Sequence, residues 1–148
     1  MEKLALIAHR GNIYGVNRDL ENKKSYLQEA LSLGYWIECD VQMYKNKLYF
    51  GHDEPRELAT ELITNPRTIC HAKDAQSLIK LNQLNVHFFW HETDKITITN
   101  RGYFWCYPGI HLKSTNAIWL DLLHKPIPDD ISGIFGICSD DFSKSNLI

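Results

Sequence analysis

The chain has 148 residues, of which 44% are hydrophobic and 23% are charged, a composition typical of globular proteins. This length suffices for one hydrophobic core, so we expect a single domain over residues 1–148. The 16 Lys and Arg residues nearly balance the 18 Asp and Glu residues, and a net charge of −2 gives no broad attraction to nucleic acid. Because the sequence shows neither a bilayer-spanning apolar run nor a signal-peptide pattern, we expect a cytoplasmic protein without integral membrane association.

The four cysteines lie far apart, each beside apolar or aromatic residues, at Cys39, Cys70, Cys106 and Cys138. None belongs to a CxxC pair, so the spacing does not favour a structural zinc site. We expect buried, reduced thiols.

The first half of the chain alternates predicted strands with a predicted helix. The run "LALIA" (4–8) ends abruptly at "HRG", as a buried strand does, and residues 23–34 have helical spacing with a glycine stop. Two further strand patterns, "WIECDV" (36–41) and "LYFGHD" (48–53), are joined by a short polar link. That link predicts either an antiparallel hairpin or an unusually tight crossover.

The next segments are read in the same way. Residues 53–63 resemble a short helix with Pro55 in its first turn, "TICHA" (68–72) reads as a strand, and residues 73–84 as a helix capped by Asp74. Four more strand patterns follow, at 87–91, 103–107, 117–120 and 133–138.

This organisation predicts an α/β fold with mostly parallel strands. Eight strand-like runs indicate a compact (β/α)8 TIM-like barrel, although such barrels usually have at least ~200 residues. The shortness of the chain therefore predicts reduced or missing helices, above all in the second half, where the linkers are polar and β-branched.

Polar residues gather where the predicted strands end. They are His9-Arg10, Glu38 and Asp40, His52-Asp53, His71 and Lys73, His91-Glu92, Asp121 and Asp140-Asp141. In a parallel barrel these ends surround one mouth, which is where catalytic residues lie.

Glu38 and Asp40 point to the same face of their strand because side chains alternate. Two buried like charges need a positive partner, and two carboxylates suit a hard divalent cation. Such a cation, with nearby basic residues, would neutralise a phosphate, while histidines would act as general acid and base. Structural explanations also exist: His9 would close a strand by hydrogen bonding, and Asn22 would cap the helix after it.

Four short motifs resemble the signature of the glycerophosphodiester phosphodiesterase family, whose enzymes act in lipid metabolism. They are "HRG" (9–11), "EN" (21–22), "IECDV" (37–41) and "GHD" (51–53), in the family's order and at similar spacing. The resemblance is specific over residues 5–53 and fades afterwards. It implies a phosphoric diester hydrolase with a barrel fold and a small phosphodiester as substrate.

Carried over residue by residue, the resemblance implies His9 and His52 as the catalytic acid/base pair. Arg10 and Lys73 become phosphate contacts, and Glu38 and Asp40 become metal ligands, with Glu21 beside them. The implied cofactor is a divalent metal ion, Mg²⁺ before Ca²⁺, Mn²⁺ or Zn²⁺.

The sequence departs from the family at several places. His71 stands where the family has a third metal carboxylate, Lys23 replaces the threonine after Glu-Asn, and no proline precedes Glu21. His71 is either a metal ligand, in which case an imidazole suits Mn²⁺ or Zn²⁺ better than Ca²⁺, or a phosphate contact. Two other functions therefore stay open: a non-catalytic phosphate- or headgroup-binding module on a degenerate barrel, and a lyase that forms a cyclic phosphate.

Overall fold

The computed structural model describes residues 2–143; Met1 and residues 144–148, which the predicted domain includes, lie outside the described residues. The described chain forms ten strands and two α-helices. In chain order they are β1 (Ala5–His9), α1 (Lys24–Ser32), β2 (Trp36–Tyr44), β3 (Lys47–Phe50), β4 (Glu57–Leu58), β5 (Thr68–Ala72), α2 (Ala75–Asn82), β6 (His87–Trp90), β7 (Ile96–Ile98), β8 (Phe104–Cys106), β9 (Ala117–Asp121) and β10 (Gly136–Ser139). A 3₁₀ turn (Glu61–Thr64) precedes β5.

All ten strands belong to one mixed sheet. Seven are parallel in the order β6-β5-β2-β1-β10-β9-β8. The other three are antiparallel additions, with β3 and β4 beyond the end of β2 and β7 beside β8. The carboxyl ends of the seven parallel strands lie at one edge, as the strand-end pattern requires.

The predicted α/β class is confirmed, but the predicted closed barrel is wrong. Within residues 2–143 no ladder joins β6 to β7 or β8, so the sheet stays open there. The cause lies in the chain between Trp90 and Phe104, which turns back as the β7–β8 pair instead of crossing over as a helix. Side chains bridge part of the gap: Asn100 accepts from the Phe88 amide at 2.8 Å, and the Thr97 hydroxyl donates to the Trp90 carbonyl at 2.9 Å.

The link between β2 and β3 is a hairpin turn. Lys45 and Asn46 have φ values of +47° and +63°, and Tyr44 pairs with Lys47 across the two-residue loop. Positive φ at both loop positions matches the right-handed twist of an antiparallel hairpin. Of the two readings that the sequence allows, the structure has the hairpin.

The predicted helix over residues 53–63 is wrong. This segment pairs briefly with β3 as β4 and then makes the 3₁₀ turn, where the Thr60 side chain accepts from the Leu62 amide. The predicted helix over 73–84 is confirmed as α2, and its cap Asp74 accepts from the Ser77 amide at 2.7 Å. Neither helix of the described chain has the length or apolar content needed to cross a membrane.

The sheet curves around an inner apolar cluster, because residues of six different strands pack together on one face. Its members are Ile7, Ile69, Phe89, Trp105, Ile118, Leu120 and Cys138. On the outer face, α1 and α2 cover the first half of the sheet. Loop residues Ile110, Ile127, Ile131 and Ile134 cover β8 and β9 in place of helices. All four cysteines are buried and unpaired, as predicted.

Candidate functional site

The most unusual feature of the sheet is an acidic pair buried on its inner face. Glu38 and Asp40 are alternate residues of β2, and each side chain is 1% exposed. His71 stands opposite Asp40 on the neighbouring strand β5, with its Nδ1 atom 3.4 Å from Asp40 Oδ1 and 4.0 Å from Glu38 Oε1. One donor atom from each of the three residues lies within 4.8 Å of the others.

The two carboxylates respond differently to this environment. Burial and the charge of Asp40 raise the pKa of Glu38. Burial alone would also raise the pKa of Asp40, but the hydrogen bond from His71 and the charge of Arg10 lower it well below the ordinary range. The acidic pair therefore keeps at least one full negative charge in a place shielded from water.

Asn22 holds Asp40 in place with two hydrogen bonds. Its side-chain amide donates to Asp40 Oδ2 at 2.9 Å, and its oxygen accepts from the Asp40 backbone amide at 2.9 Å. Asn22 is 1% exposed and has a φ of +60°, a conformation that asparagine tolerates better than most residues. It does not cap α1, since the N-cap is Lys23 and makes no side-chain cap bond.

Arg10 supplies the positive charge beside the pair. Its Nε atom lies 3.1 Å from Asp40 Oδ2, and its Nη1 donates to Glu21 Oε2 at 3.1 Å. The backbone amide of Arg10 donates to Glu38 Oε2 at 3.2 Å. Glu21 thus binds the arginine, and within residues 2–143 the group of possible metal donors does not include it.

The His71 ring is oriented by its neighbours. It stacks on Phe89 with ring centroids 4.7 Å apart, and Phe89 stacks in turn on Trp105 at 4.5 Å. The Nε2 atom lies 3.3 Å from the backbone carbonyl of His91, which suits an Nε2–H donor. Nδ1 is the atom that bonds to Asp40 without a cation, and in the Nε2–H tautomer its lone pair would be free for a bound ion.

His9 is fixed by a carboxylate from the other end of the chain. Its Nδ1 atom is 2.8 Å from Asp140 Oδ1, and Asn12 donates to the same oxygen at 2.8 Å. Its Nε2 atom is 3.7 Å from Glu38 Oε2. Burial would lower the pKa of His9, but the hydrogen bond to Asp140 and the charges of Glu38 and Asp140 raise it overall.

His52 lies on the loop after β3 and is half-exposed. Its Nδ1 atom lies 2.8 Å from Asp53 Oδ1. The loop needs glycine at position 51, because a Cβ there would lie 1.9 Å from the carbonyl oxygen of Glu54. Gln42 of β2 donates to the Gly51 carbonyl at 2.7 Å, which ties the loop to the sheet.

A cavity of about 300 Å³ brings most of the predicted site residues together. Its polar lining consists of His9, Arg10, Glu38, His52, His71 and Lys73, with His91 and Glu92 at its side. His9 and His52 therefore face the same space, above the buried Asp40. A larger cavity of about 620 Å³ adjoins it and contains Glu21, Asp121 and Asp140.

The donors fit a divalent cation. Ligands of one ion at 2.0–2.6 Å lie at most about 5 Å apart, which is the spread found for Glu38, Asp40 and His71. The charge balance points the same way, since a single guanidinium at Arg10 faces the three carboxylates of Glu21, Glu38 and Asp40. A cation here would offset the burial of two anions.

Sequence reasoning did not identify three contributors to this arrangement. The sequence indicates Asp140 as a strand-end carboxylate but not as the partner of His9, and it does not single out Asn12 or Phe89. The partner of His9 lies 131 residues away, so only the pairing of β1 with β10 brings it near. Nothing local in the sequence distinguishes Asn12, which the structure shows to be fully buried.

Comparison of the chain with protein-family models, with curated proteins and with solved structures yields no match.

Proposed function

We propose that this protein is a metal-dependent phosphodiesterase that hydrolyses a glycerophosphodiester or a related small phosphodiester. The observation that carries the proposal is the cluster of Glu38, Asp40 and His71 beneath a cavity that also holds His9 and His52. We read the open sheet as a reduced form of the (β/α)8 barrel that the resemblance to glycerophosphodiester phosphodiesterases implies. The resemblance is independent support, since it rests on motif order and not on distances.

In this proposal the acidic pair and His71 hold one divalent cation. Mg²⁺ is the first candidate because two donors are carboxylates, while the imidazole favours Mn²⁺ or Zn²⁺ over Ca²⁺. When bound, the cation would act as a Lewis acid on the phosphate oxygens.

The cationic side chains then bind the phosphate. Arg10 lines the cavity, so its guanidinium is placed to bind a phosphate oxygen there. Lys73 is held at the cavity by its backbone amide, which donates to the Val41 carbonyl at 2.9 Å. Its ammonium group supplies a second positive charge for the phosphate.

The two histidines move the protons. One imidazole accepts the proton of the attacking water or substrate hydroxyl, and the other donates a proton to the leaving alcohol. Asp140 holds His9 in one tautomer through Nδ1. The Nε2 atom then lies 3.7 Å from Glu38 Oε2, and both side chains line the cavity. The arrangement resembles other carboxylate-oriented histidines that act as bases.

The test is turnover of a panel of small phosphodiesters by metal-stripped protein with Mg²⁺, Mn²⁺, Zn²⁺ or Ca²⁺ added back. We expect cation-dependent release of alcohol, and a fall of about 10²–10⁴-fold in His9→Ala and His52→Ala. Gln28→Ala, at an exposed position of α1 away from both cavities, is the control. No turnover with any metal and diester overturns the proposal. Phosphorus NMR of the product separates a phosphate monoester from a cyclic phosphate, and so separates hydrolase from lyase.

A non-catalytic phosphate-binding module is the second candidate. The observation in its favour is that Arg10 already pairs with Asp40 and Glu21, which reduces the need for a metal. It predicts that inorganic phosphate binds in the presence of a chelator and that binding survives His9→Ala. Calorimetry on both proteins distinguishes the two candidates.

A further inference from the structure

The cavity above the metal donors has two chemically different sides. The polar side carries His9, Glu38, His52, His71 and Lys73. The opposite side, which we call the apolar wall, consists of Trp105, Tyr107, Pro108, Leu120, Leu122 and Leu123. None of these six residues is charged.

Strand alternation explains where the wall comes from. Trp105 and Leu120 belong to the inner apolar cluster, so Tyr107 and Leu122, two residues further along, also point inward. Asp121 points away and lines the adjoining cavity. Asp121 remains a polar strand end, and it shares the adjoining cavity with His9 and Arg10.

Leu123 is the least expected member of the wall. It has a φ of +57°, a conformation that is costly for leucine and cheap for glycine or asparagine. Its side chain is nevertheless 64% exposed, so packing within the protein does not compensate for the strain. A bound molecule that covers Leu123 accounts for an apolar residue at this position.

We infer that one ester group of the substrate carries hydrocarbon, and that this group lies against the apolar wall while the phosphate lies over the metal donors. The inference rests on the proposed function and narrows its substrate class. The glycerol group of a diester would bring its two free hydroxyls to a surface that offers them few partners, at the cost of their hydration. An alkyl group gains from the same contact.

The cavity volume limits what is enclosed. About 300 Å³ is at the small end for ligand pockets, so it holds the phosphate and the first few carbons of the substituent. A longer chain leaves the cavity past Leu123, whose exposed side chain lies at that edge. The benefit of each added carbon should therefore stop after a few methylenes.

The experiment uses a homologous series, the glycerol phosphodiesters of ethanol, butanol, hexanol and octanol. Release of glycerol phosphate is followed in the presence of the activating metal. We expect kcat/KM to rise by up to about fourfold per methylene and at least tenfold from ethyl to hexyl, with little further gain to octyl. The Leu123→Asn variant, which suits the positive φ, should lose most of this rise. Ile79→Asn, at an exposed apolar position on α2, is the matched control.

Binding of the corresponding alkyl phosphates, measured by calorimetry, is a second readout that needs no turnover. Binding of alkyl phosphates that tightens with chain length in the wild type, and not in Leu123→Asn, supports the apolar wall. If the same protein cleaves no diester, the proposed reaction is overturned and the inference about the wall is not. Rates and affinities that are independent of chain length overturn the inference. The inference is also overturned if Leu123→Asn and Ile79→Asn lose the dependence on chain length equally.

Discussion

The Nδ1 atom of His9 lies 2.8 Å from Oδ1 of Asp140, so the first and last parallel strands of the chain meet at one proton-carrying pair. Asp140 touches neither the metal donors nor the proposed phosphate position. It acts on the site through the orientation and tautomer of one imidazole.

Replacement of Asp140 tests this relationship. Asp140→Asn should lower kcat by about 10²-fold or more and change KM little, because the histidine loses its orienting acceptor. Nitrogen NMR of the imidazoles should show the His9 Nδ1–H tautomer in the wild type and its loss in the variant. Asp129→Asn, an exposed carboxylate, is the control. An unchanged His9 tautomer would show that Asp140 does not orient the ring.

The cation site predicts a linkage between metal and stability. A divalent ion that binds only the folded state adds about 2.7 kcal/mol to the free energy of unfolding at an ion concentration of 100 times Kd. It therefore raises the melting temperature. Glu38→Gln should abolish most of the shift, since it removes the negative charge of one of the three donors, and Asp129→Asn should keep it. Melting curves with and without Mn²⁺ or Zn²⁺ measure the effect. Equal shifts in both variants would place the ion elsewhere.

Asn22 should contribute to stability as well as to the position of Asp40. Asn22→Ala removes two buried hydrogen bonds and puts alanine at a φ of +60°, so we expect a loss of about 3 kcal/mol in the free energy of unfolding. Asn22→Gly loses the same bonds without the backbone cost and should be about 1 kcal/mol more stable than the alanine variant. Urea unfolding gives both values. An alanine variant as stable as wild type would contradict the role of Asn22.

Acid should weaken the fold through His87. Its ring is buried and bonds to the Thr99 hydroxyl at 2.7 Å, and burial, with a smaller effect of Arg101, lowers the pKa of His87 from 6.5 to about 4. The folded protein favours the neutral ring, whereas the unfolded chain binds a proton on His87 below pH 6.5. The contribution of neutral His87 to stability is therefore complete above pH 6.5 and is lost as the pH falls from 6.5 to about 4. The loss over this range should be on the order of 3 kcal/mol.

The His87→Gln variant provides the comparison, since its amide can still reach Thr99 and does not titrate. Urea unfolding at pH 7 and pH 4.5 should show a smaller pH effect in this variant than in the wild type. His124→Gln, at an exposed histidine, should leave the pH effect unchanged. A wild-type pH effect that survives His87→Gln would assign it to another group.

Local patterns in the sequence were sufficient for most elements and for half of the site. The buried runs around Ile7, Cys39 and Cys70 predicted their strands because burial on both faces gives continuous apolar sequence. The antiparallel β2–β3 hairpin returns the "GHD" loop to β2, where the Gly51 amide donates to the Asp40 carbonyl, so His52 and Glu38 reach one cavity. The strand predictions themselves needed only the apolar pattern and alternation.

The remaining features depend on long-range contacts that no local pattern contains. The open sheet follows from the β7–β8 turn, and nothing in "ETDKITITNRG" distinguishes an antiparallel strand from a shortened crossover. The role of Asn22 depends on its distance to Asp40, and the partner of His9 on the pairing of β1 with β10. Pro55 favoured a helix start, but pairing with β3 overrode that propensity.

Anomalous diffraction from crystals soaked in Mn²⁺ tests the central claim most directly. We expect one strong peak within coordinating distance of Glu38, Asp40 and His71, with the Arg10 guanidinium displaced toward Glu21 or the cavity. The same soak of Glu38→Gln crystals should give a weak peak or none. A wild-type map without a peak at these three side chains, with Arg10 still against Asp40, would contradict the metal-dependent account.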